Sequence, residues 1–284
     1  MNRRNIICAL AAFAAVCATV AGQENTVEPA PAGANTLTAA EKEAGWKLLW
    51  DGSTNFVEWV GAWRKDFPKK GWVVREPNVL TVLPARALKG ELPPEQKKLG
   101  GGGDIVTRAS YRSFDFKFDF RLTEGANSGV KYFFDEKQDK GSCEEYQIMD
   151  KAHPDQTLGR DGNHRVASLY DLVPAQADEI VRGPGKWNHG EVVVRGDKVE
   201  HWLNGVKVVE YVRGGEAFRA AVAKSKYASW GRDRDGNPQP WGEIPEGRIL
   251  LQDHYDSTVS FCNLKVRDLS ADGASGGPVA DRAE

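Results

Sequence analysis

The sequence is poor in cysteine and has no excess of either charge, and each shortage argues against a class of protein. Its 284 residues include four cysteines, with no Cys-x-x-Cys pair and no Cys/His spacing typical of a zinc site. Lysine and arginine number 38, aspartate and glutamate 40, and the formal net charge is −2. Nothing in this balance favours a nucleic acid or a membrane surface as partner.

Helical patterns are also sparse. Only residues 39–45 and 216–224 suit a turn or two of helix, and no strand–helix–strand alternation runs through the chain. Thirty glycines and nine tryptophans are typical of a turn-rich all-β domain instead.

The two ends of the chain look like processing and tail segments. Met1-Asn-Arg-Arg4 is basic, and the apolar run Ile6 to Ala21 suits a secretory signal but is short for a membrane span. A lipid anchor on Cys17 is disfavoured because the preceding Val16 is large. We predict a signal peptide at 1–21, a flexible linker at 22–38, one catalytic domain at 39–269 and a disordered tail at 270–284. The mature protein is then expected in the periplasm or outside the cell, with no membrane span.

Two cysteines remain once the predicted signal peptide is removed. In an oxidising compartment Cys143 and Cys262 could form a disulfide, and two separate buried thiols fit the sequence at least as well. The sequence leaves both alternatives open.

The segment from Trp187 to Tyr211 predicts three antiparallel strands. Gly196-Asp197 and Asn204-Gly205 tolerate the positive φ angles that two-residue hairpin turns require. Further strands are predicted along most of the chain, separated by turns. This organisation favours a sandwich of two antiparallel sheets.

The segment Ser113–Leu122 alternates apolar and charged residues with the period of a strand. Its apolar face carries four phenylalanines and a leucine: Phe114, Phe116, Phe118, Phe120 and Leu122. We expect this face to lie in the core.

The same alternation identifies a candidate site in Glu144–Asp150. Tyr146 and Ile148 suit the core, so Glu145, Gln147 and Met149 share the opposite face. A retaining glycosidase needs two carboxylates about 5–5.5 Å apart. The positions two and four residues after Glu145 hold Gln147 and Met149 instead, which disfavours a two-carboxylate hydrolase.

Eight short motifs follow one another between Gly45 and His254. They are Gly45-Trp-Lys-Leu-Leu-Trp-Asp-Gly52, Gly101-Gly-Gly-Asp104, Asn127-Ser-Gly-Val130, Glu145-Tyr-Gln-Ile-Met-Asp150, Ser168-Leu-Tyr-Asp171, Trp187-Asn188, His201-Trp-Leu-Asn-Gly-Val-Lys-Val208 and Leu251-Gln-Asp-His254. Together, and in this order, they resemble the 3-keto-disaccharide hydrolase family, and the similarity extends to about Leu269. The chain departs from the family in an extra acid, Glu144, and a long loop from Arg213 to Gly247.

The resemblance implies a concanavalin A-like jelly-roll β-sandwich, export from a bacterial cell, and action on glycosides oxidised to a ketone at sugar C3. It also implies a partner sugar 3-oxidoreductase that makes this ketone.

A ketone at C3 acidifies the proton at C2, so one base and one enolate-stabilising group suffice for β-elimination. Our hypothesis assigns catalytic acid–base roles to Glu145 and His254, either of which could be the base or the acid. The hypothesis also includes groups that bind the substrate or stabilise the enolate: Gln147, Arg121, Lys131, Asp150 and Lys224. It requires no cofactor and no metal.

Several of these residues also fit purely structural roles. Glu145 could be a salt-bridged strand residue, His254 could stabilise a turn, Asp150 could cap the following loop, and Asn127 suits a turn. His153, His164 and His189 lie in predicted loops with no common spacing, which does not favour a metal site.

A carbohydrate-binding module without catalytic activity is the alternative function, because the same sandwich also serves lectins. Exposed tryptophans such as Trp230 and Trp241 would then stack on sugar rings.

Overall fold

The structure is a computed structural model that describes residues 27–87, 90–138, 143–232, 235–237 and 240–270. The predicted signal peptide, the start of the predicted linker and the tail from residue 271 lie outside the described residues. Within these ranges, no helix is long and apolar enough to cross a membrane.

The described residues form thirteen strands and three short helices. The strands are β1 Lys47–Leu48, β2 Trp59–Gly61, β3 Trp72–Arg75, β4 Val79–Val82, β5 Ile105–Tyr111, β6 Phe114–Leu122, β7 Asn127–Phe134, β8 Glu144–Met149, β9 Trp187–Arg195, β10 Lys198–Leu203, β11 Val206–Val212, β12 Gly247–Leu251 and β13 Val259–Asp268. The helices are α1 Ala39–Glu43, α2 Pro94–Leu99 and α3 Glu216–Ala223, with 3-10 turns at Pro154–Leu158 and Lys226–Ser229.

The strands assemble into two antiparallel sheets. The larger sheet has the order β11-β10-β9-β6-β13-β4-β3, with β1 added beside β13. The smaller sheet has the order β2-β5-β12-β7-β8. The predicted all-β sandwich of two antiparallel sheets is therefore confirmed.

Tight turns set the register of the β9–β10–β11 meander. Arg195 pairs with Lys198 and Leu203 pairs with Val206, so Gly196-Asp197 and Asn204-Gly205 form the turns, as predicted. Asn204 and Gly205 both have positive φ angles, which explains why these residue types occupy the turn.

The core lies between the sheets and is rich in aromatic side chains. The predicted apolar face of β6 is fully buried. Phe118 on this strand packs edge-on against Tyr146 of β8, with 5.1 Å between ring centroids. Each such side chain contributes roughly 1.5–3 kcal/mol of hydrophobic stabilisation before the entropy cost.

The described part of the predicted linker contacts the larger sheet. The Trp187 indole N–H donates to the Pro29 carbonyl oxygen at 2.8 Å, and the Asn35 and Asn263 side-chain oxygens each accept from the other residue's backbone N–H. The segment from residue 28 is thereby attached to the sandwich. Cys143 and Cys262 are free thiols, so the structure favours the second of the two alternatives for this pair.

Candidate functional site

The pairing of β7 with β8 brings four polar side chains to the outer face of the smaller sheet. Lys131 pairs with Glu145, and Gly129 pairs with Gln147 one step further along. Asn127 belongs to the same face because it lies two residues before Gly129. A Cβ atom at position 129 would collide with Glu145 Oε1, so the glycine makes room for this carboxylate.

Glu145 and Lys131 form a largely buried carboxylate–ammonium pair. Glu145 is 5% exposed, and its Oε2 lies 3.7 Å from Lys131 Nζ. Burial opposes the charge on Lys131, but the negative groups around it, chiefly Glu145, outweigh burial and raise the Lys131 pKa. The site therefore holds a fixed cation beside a carboxylate.

His254, three residues after β12, is connected to this pair through two side-chain amides. Its Nε2 lies 3.3 Å from the Asn127 side-chain amide, and the side-chain amides of Asn127 and Gln147 lie 3.1 Å apart. On the other side of the ring, His254 Nδ1 lies 2.7 Å from Asp256 Oδ1. The path His254–Asn127–Gln147 therefore ends beside Glu145.

A cavity of about 470 Å³ opens beside His254, lined by Arg86, His153, Asp155, Tyr255 and Asp256 among others. His153 is 3% exposed, and its Nε2 has no hydrogen-bond partner among the residues that the structure describes. Its Nδ1 accepts from the Asp155 backbone N–H at 3.1 Å, and burial lowers the His153 pKa. Neutral His153 must therefore carry its proton on Nε2, as an unpaired donor.

The chemistry of these groups also bears on metal binding. Within the described residues, His153, His254 and Asp256 bring one potential ligand atom each to within 4.8 Å of one another. However, the Nδ1 atoms of both histidines are hydrogen-bonded, and His153 carries a proton on its other nitrogen. These contacts fit a hydrogen-bonded cluster better than a metal site.

Aromatic side chains and a second lysine lie over the Glu145 side of the site. Lys226 Nζ lies 4.2 Å from the centroid of Tyr170 and 5.1 Å from that of Tyr227. Lys226 is exposed as a whole residue, but partial desolvation of its ammonium lowers its pKa, and the negative charge of Glu145 acts in the opposite direction. The two lysines of the site thus have pKa values shifted in opposite directions.

The structure brings together four of the predicted site residues, Glu145, Gln147, Lys131 and His254. Asp150 lies at the end of β8, where its Oδ2 accepts from the backbone N–H groups of Gly125 and Ala152 at 2.9 and 3.0 Å. It fixes the loops at this end of the β7–β8 pair, as its structural interpretation predicted.

The other two predicted residues are not brought to this group. Arg121 is on β6 in the larger sheet, where it pairs with Glu76 at 2.8 Å and lies over the Trp187 ring. Lys224 is exposed at the end of α3. Lys226, two residues further on, is the lysine that lies near Tyr170.

Sequence reasoning also missed residues of the site. His153 and Lys226 carry no periodic signal, because they lie at the starts of two short 3-10 turns whose position depends on long-range packing. Asn127 was assigned to a turn but begins β7. Trp241 is 4% exposed, so it does not provide the open stacking surface that the carbohydrate-binding alternative expected.

Comparisons with known proteins agree with this fold. A curated "3-keto-disaccharide hydrolase" from Bacteroides thetaiotaomicron is 28% identical over 270 residues, covering 87% of this chain and 89% of that protein. A solved structure from Parabacteroides distasonis, provisionally described as a glycosyl hydrolase, has a TM-score of 0.66 and 28% identity, covering 84% of this chain and 100% of that one. A second such structure from the same organism has a TM-score of 0.53 and 27% identity, covering 79% and 99%.

The family model described as a 3-keto-alpha-glucoside-1,2-lyase-like domain matches residues 45–267. The matched region contains the whole β7–β8 face, the His254 segment and the aromatic residues near Lys226. The chain belongs to this 3-keto-alpha-glucoside-1,2-lyase-like family.

Proposed function

We propose that this protein cleaves glycosides whose sugar carries a ketone at C3, by removing the proton at C2 and eliminating the C1 oxygen. The observation that carries the proposal is the single face on which Glu145 lies 3.7 Å from the Lys131 ammonium and is joined to His254 through two amides. This face offers a base, a cation and a second proton-transfer group. The family match supports the substrate class.

The reaction begins with transfer of the C2 proton to the Glu145 carboxylate. The electrons of the C2–H bond form a C2=C3 double bond, and the C3 oxygen becomes negative. The Lys131 ammonium stabilises this enolate, since a positioned charge in a water-poor site can contribute several kcal/mol. Glu145 and Lys131 need no large movement for this step because the strand register already sets them side by side.

The second step breaks the glycosidic bond. The enolate re-forms the C3 carbonyl, a C1=C2 double bond forms, and the electrons of the C1–O bond leave with the oxygen. His254 donates the proton that this oxygen needs, acting as general acid. Addition of water to the enone at C1 and C2 then gives the free 3-keto sugar, so the net reaction is hydrolysis.

His153 is proposed to orient the sugar directly, and Gln147 is proposed to do so through Glu145. Gln147 lies on the same face as Glu145, and the His153 Nε2–H is a buried donor with no partner in the described part of the chain. A sugar hydroxyl or carbonyl oxygen would satisfy this donor.

The geometry gives less support to a two-carboxylate mechanism. Asp104 is another carboxylate that acts electrostatically on Lys131. It is partly buried, desolvation raises its pKa, and its Oδ1 accepts from the Asp253 backbone N–H at 2.8 Å. Asp104 therefore holds the strand ends together and is poorly placed to act as a nucleophile.

The test compares nitrophenyl 3-keto-glucosides of both anomers with their unoxidised parents, following phenolate release by the purified protein. We expect release from a keto compound and none from its parent. Equal release from both would contradict the ketone requirement. Release from neither, with sugars still changing tryptophan fluorescence, would favour the carbohydrate-binding module.

Proton NMR of the same reaction in heavy water separates elimination from direct hydrolysis. Elimination followed by hydration places deuterium at C2 of the 3-keto product, whereas direct hydrolysis leaves the C2 proton in place. Retention of the C2 proton would rule out the proposed first step.

Variants of the proposed catalytic residues test the role of each residue in the reaction. Glu145→Gln and Lys131→Met are each expected to reduce kcat by at least about 100-fold, because each removes one partner of the first step. Lys224→Met is the matched control, since this exposed lysine lies outside the group, and it is expected to leave turnover unchanged.

The proposal also requires a supplier of substrate. An oxidoreductase that converts the C3 hydroxyl of a glycoside to a ketone must act first. Export of the protein, predicted from residues 1–21, stays a prediction.

A further inference from the structure

In one of its two amide orientations, the Gln147 side-chain oxygen has no hydrogen-bond donor to accept from. With Nε2 facing Asn127, its Oε1 faces only acceptors, namely the Ser128 carbonyl oxygen and Glu145 Oε1. In the reversed orientation Nε2 donates to both, at 3.2 and 3.3 Å. Gln147 is almost fully buried, so water cannot supply the hydrogen bonds that one orientation lacks. The protein groups around Gln147 therefore select its orientation.

The Gln147 orientation determines the protonation of His254 through Asn127. When Gln147 donates to Glu145, its Oε1 lies 3.1 Å from Asn127 and requires the Asn127 amide N–H there. Asn127 then presents its Oδ1 to His254 Nε2, which must carry a proton to donate. His254 Nδ1 also carries a proton, donated to Asp256 at 2.7 Å. In this arrangement Glu145 is ionised and His254 is an imidazolium.

The opposite arrangement reverses every donor along the path. Gln147 Nε2 donates to Asn127 Oδ1, Asn127 Nδ2 donates to His254 Nε2, and His254 is neutral. Gln147 Oε1 then needs a proton from Glu145, so Glu145 is the protonated acid. The Ser128 carbonyl is left facing another acceptor, which makes this the less favourable arrangement.

We propose that Asn127 and Gln147 are positioning residues that make Glu145 and His254 hold one proton between them, and that this proton resides on His254 in the resting protein. The inference deepens the proposed function and rests on it for its catalytic meaning. The resting arrangement has an ionised base and a protonated acid, which are the forms that proton abstraction and leaving-group protonation require. One turnover produces protonated Glu145 and neutral His254, which is the second arrangement.

The other charged groups around His254 do not connect it to Glu145. Asp256 and Asp253 belong to its own segment, His153 packs edge-on at 5.7 Å between ring centroids, and Arg86 pairs with Asp256 at 3.5 Å. Asp155 and Asp150 act on His153 from the neighbouring 3-10 segment. Among these contacts, Asn127 alone connects His254 to Gln147 and hence to Glu145.

The experiment measures the side-chain nitrogen signals of His254 by NMR across pH, without substrate and in the presence of a chelator. Gln147→Met removes the amide but leaves the Glu145 charge in place. We expect it to lower the ratio of imidazolium to neutral His254 at a fixed pH about tenfold. His189, on the other sheet beside Asp119, is the internal control and should titrate unchanged.

An unchanged His254 ratio in Gln147→Met would overturn the proposal, since it would show that only through-space charge couples the two residues. Asn127→Leu interrupts the same path at its other amide and must shift the ratio in the same direction. In Glu145→Gln the ratio should also fall, and adding Gln147→Met should then have little further effect. These measurements use no substrate, so failure of the ketone assay and failure of this proposal are distinguishable.

Discussion

His153 is held in one tautomer by its own chain, and this has a measurable consequence. The Asp155 backbone N–H occupies Nδ1, and the Nε2–H has no partner within the described residues. His153→Asn keeps an acceptor for the Asp155 N–H but loses the Nε2 donor. We expect KM for a 3-keto-glycoside to rise about fivefold to tenfold, the equivalent of one lost hydrogen bond, with kcat within about twofold.

Steady-state kinetics and the melting temperature check this prediction together. An unchanged KM, or a KM increase accompanied by a large drop in melting temperature, would contradict a specific role in substrate binding. His189→Asn on the larger sheet is the matched control and should leave KM unchanged.

The buried His201 side chain should make the stability of the folded protein depend on pH. It is fully buried and hydrogen-bonded to the Tyr132 hydroxyl at 2.7 Å and the Ala167 carbonyl at 2.8 Å. Burial lowers its pKa from 6.5 to about 4, against the opposing effect of the Ala167 carbonyl. Between these values the unfolded chain binds a proton that the folded protein does not. Stability is therefore lost as pH falls through this window, by about 1.4 kcal/mol per pH unit at most.

His201→Gln removes this titration while keeping a polar side chain. Urea unfolding at pH 7, 5.5 and 4.5 should show that the variant is less stable at neutral pH and that its deficit shrinks with falling pH. Other titrating groups, such as Asp115, whose pKa burial raises to about 7, act in both proteins and cancel in the difference. A deficit that stays constant over this range would contradict the assignment.

At the scale of elements, β8 is joined on its core side to the segment that follows β11. Glu144 is fully buried and pairs with Arg213 Nε at 2.6 Å, while Arg213 Nη2 donates to the Gly242 and Ile244 carbonyls at 2.9 and 2.7 Å. The acid that departs from the family motif therefore anchors the long loop. Its side chain lies on the opposite face of β8 from Glu145.

Removing one partner of this pair should cost more than removing both. Arg213→Met leaves the Glu144 carboxyl buried without its cation, and we expect a loss of about 3–5 kcal/mol in unfolding free energy. Glu144→Leu combined with Arg213→Met should be less destabilised than Arg213→Met alone. Urea denaturation of the two variants checks this, and equal or larger loss in the double variant would contradict it.

The elements differ in how far sequence could predict them. The β9–β10–β11 turns and the buried face of β6 follow from local turn chemistry and a period of two, so both were predictable. Glu145 and Gln147 were placed on one face by the same period. Lys131 reaches them only through the β7–β8 register, which depends on pairing between distant residues. Lys226 was missed in favour of Lys224 because the end of α3 sets which lysine turns toward the site.

At the scale of the whole molecule, the two outer faces of the sandwich have different contacts. The outer face of the smaller sheet carries the candidate site. Part of the outer face of the larger sheet is covered by the segment from residue 28 to residue 35, which packs around Trp187, Val79 and Cys262. Arg121 reinforces this contact, because it donates to the Glu28 carbonyl and pairs with Glu76. The segment therefore contributes to stability at a distance from the candidate site.

A protein that begins at residue 37 should consequently be less stable but equally active. Compared with one that begins at residue 27, we expect a loss of about 2–4 kcal/mol in unfolding free energy, because Trp187 and its neighbours become exposed. Cys262 should become open to thiol labelling, which peptide mass spectrometry can distinguish from labelling of Cys143. Turnover at 25 °C should stay the same, because β7, β8 and the His254 segment lie on the other sheet. A large fall in turnover with folded structure intact would show that the two faces are coupled through the core.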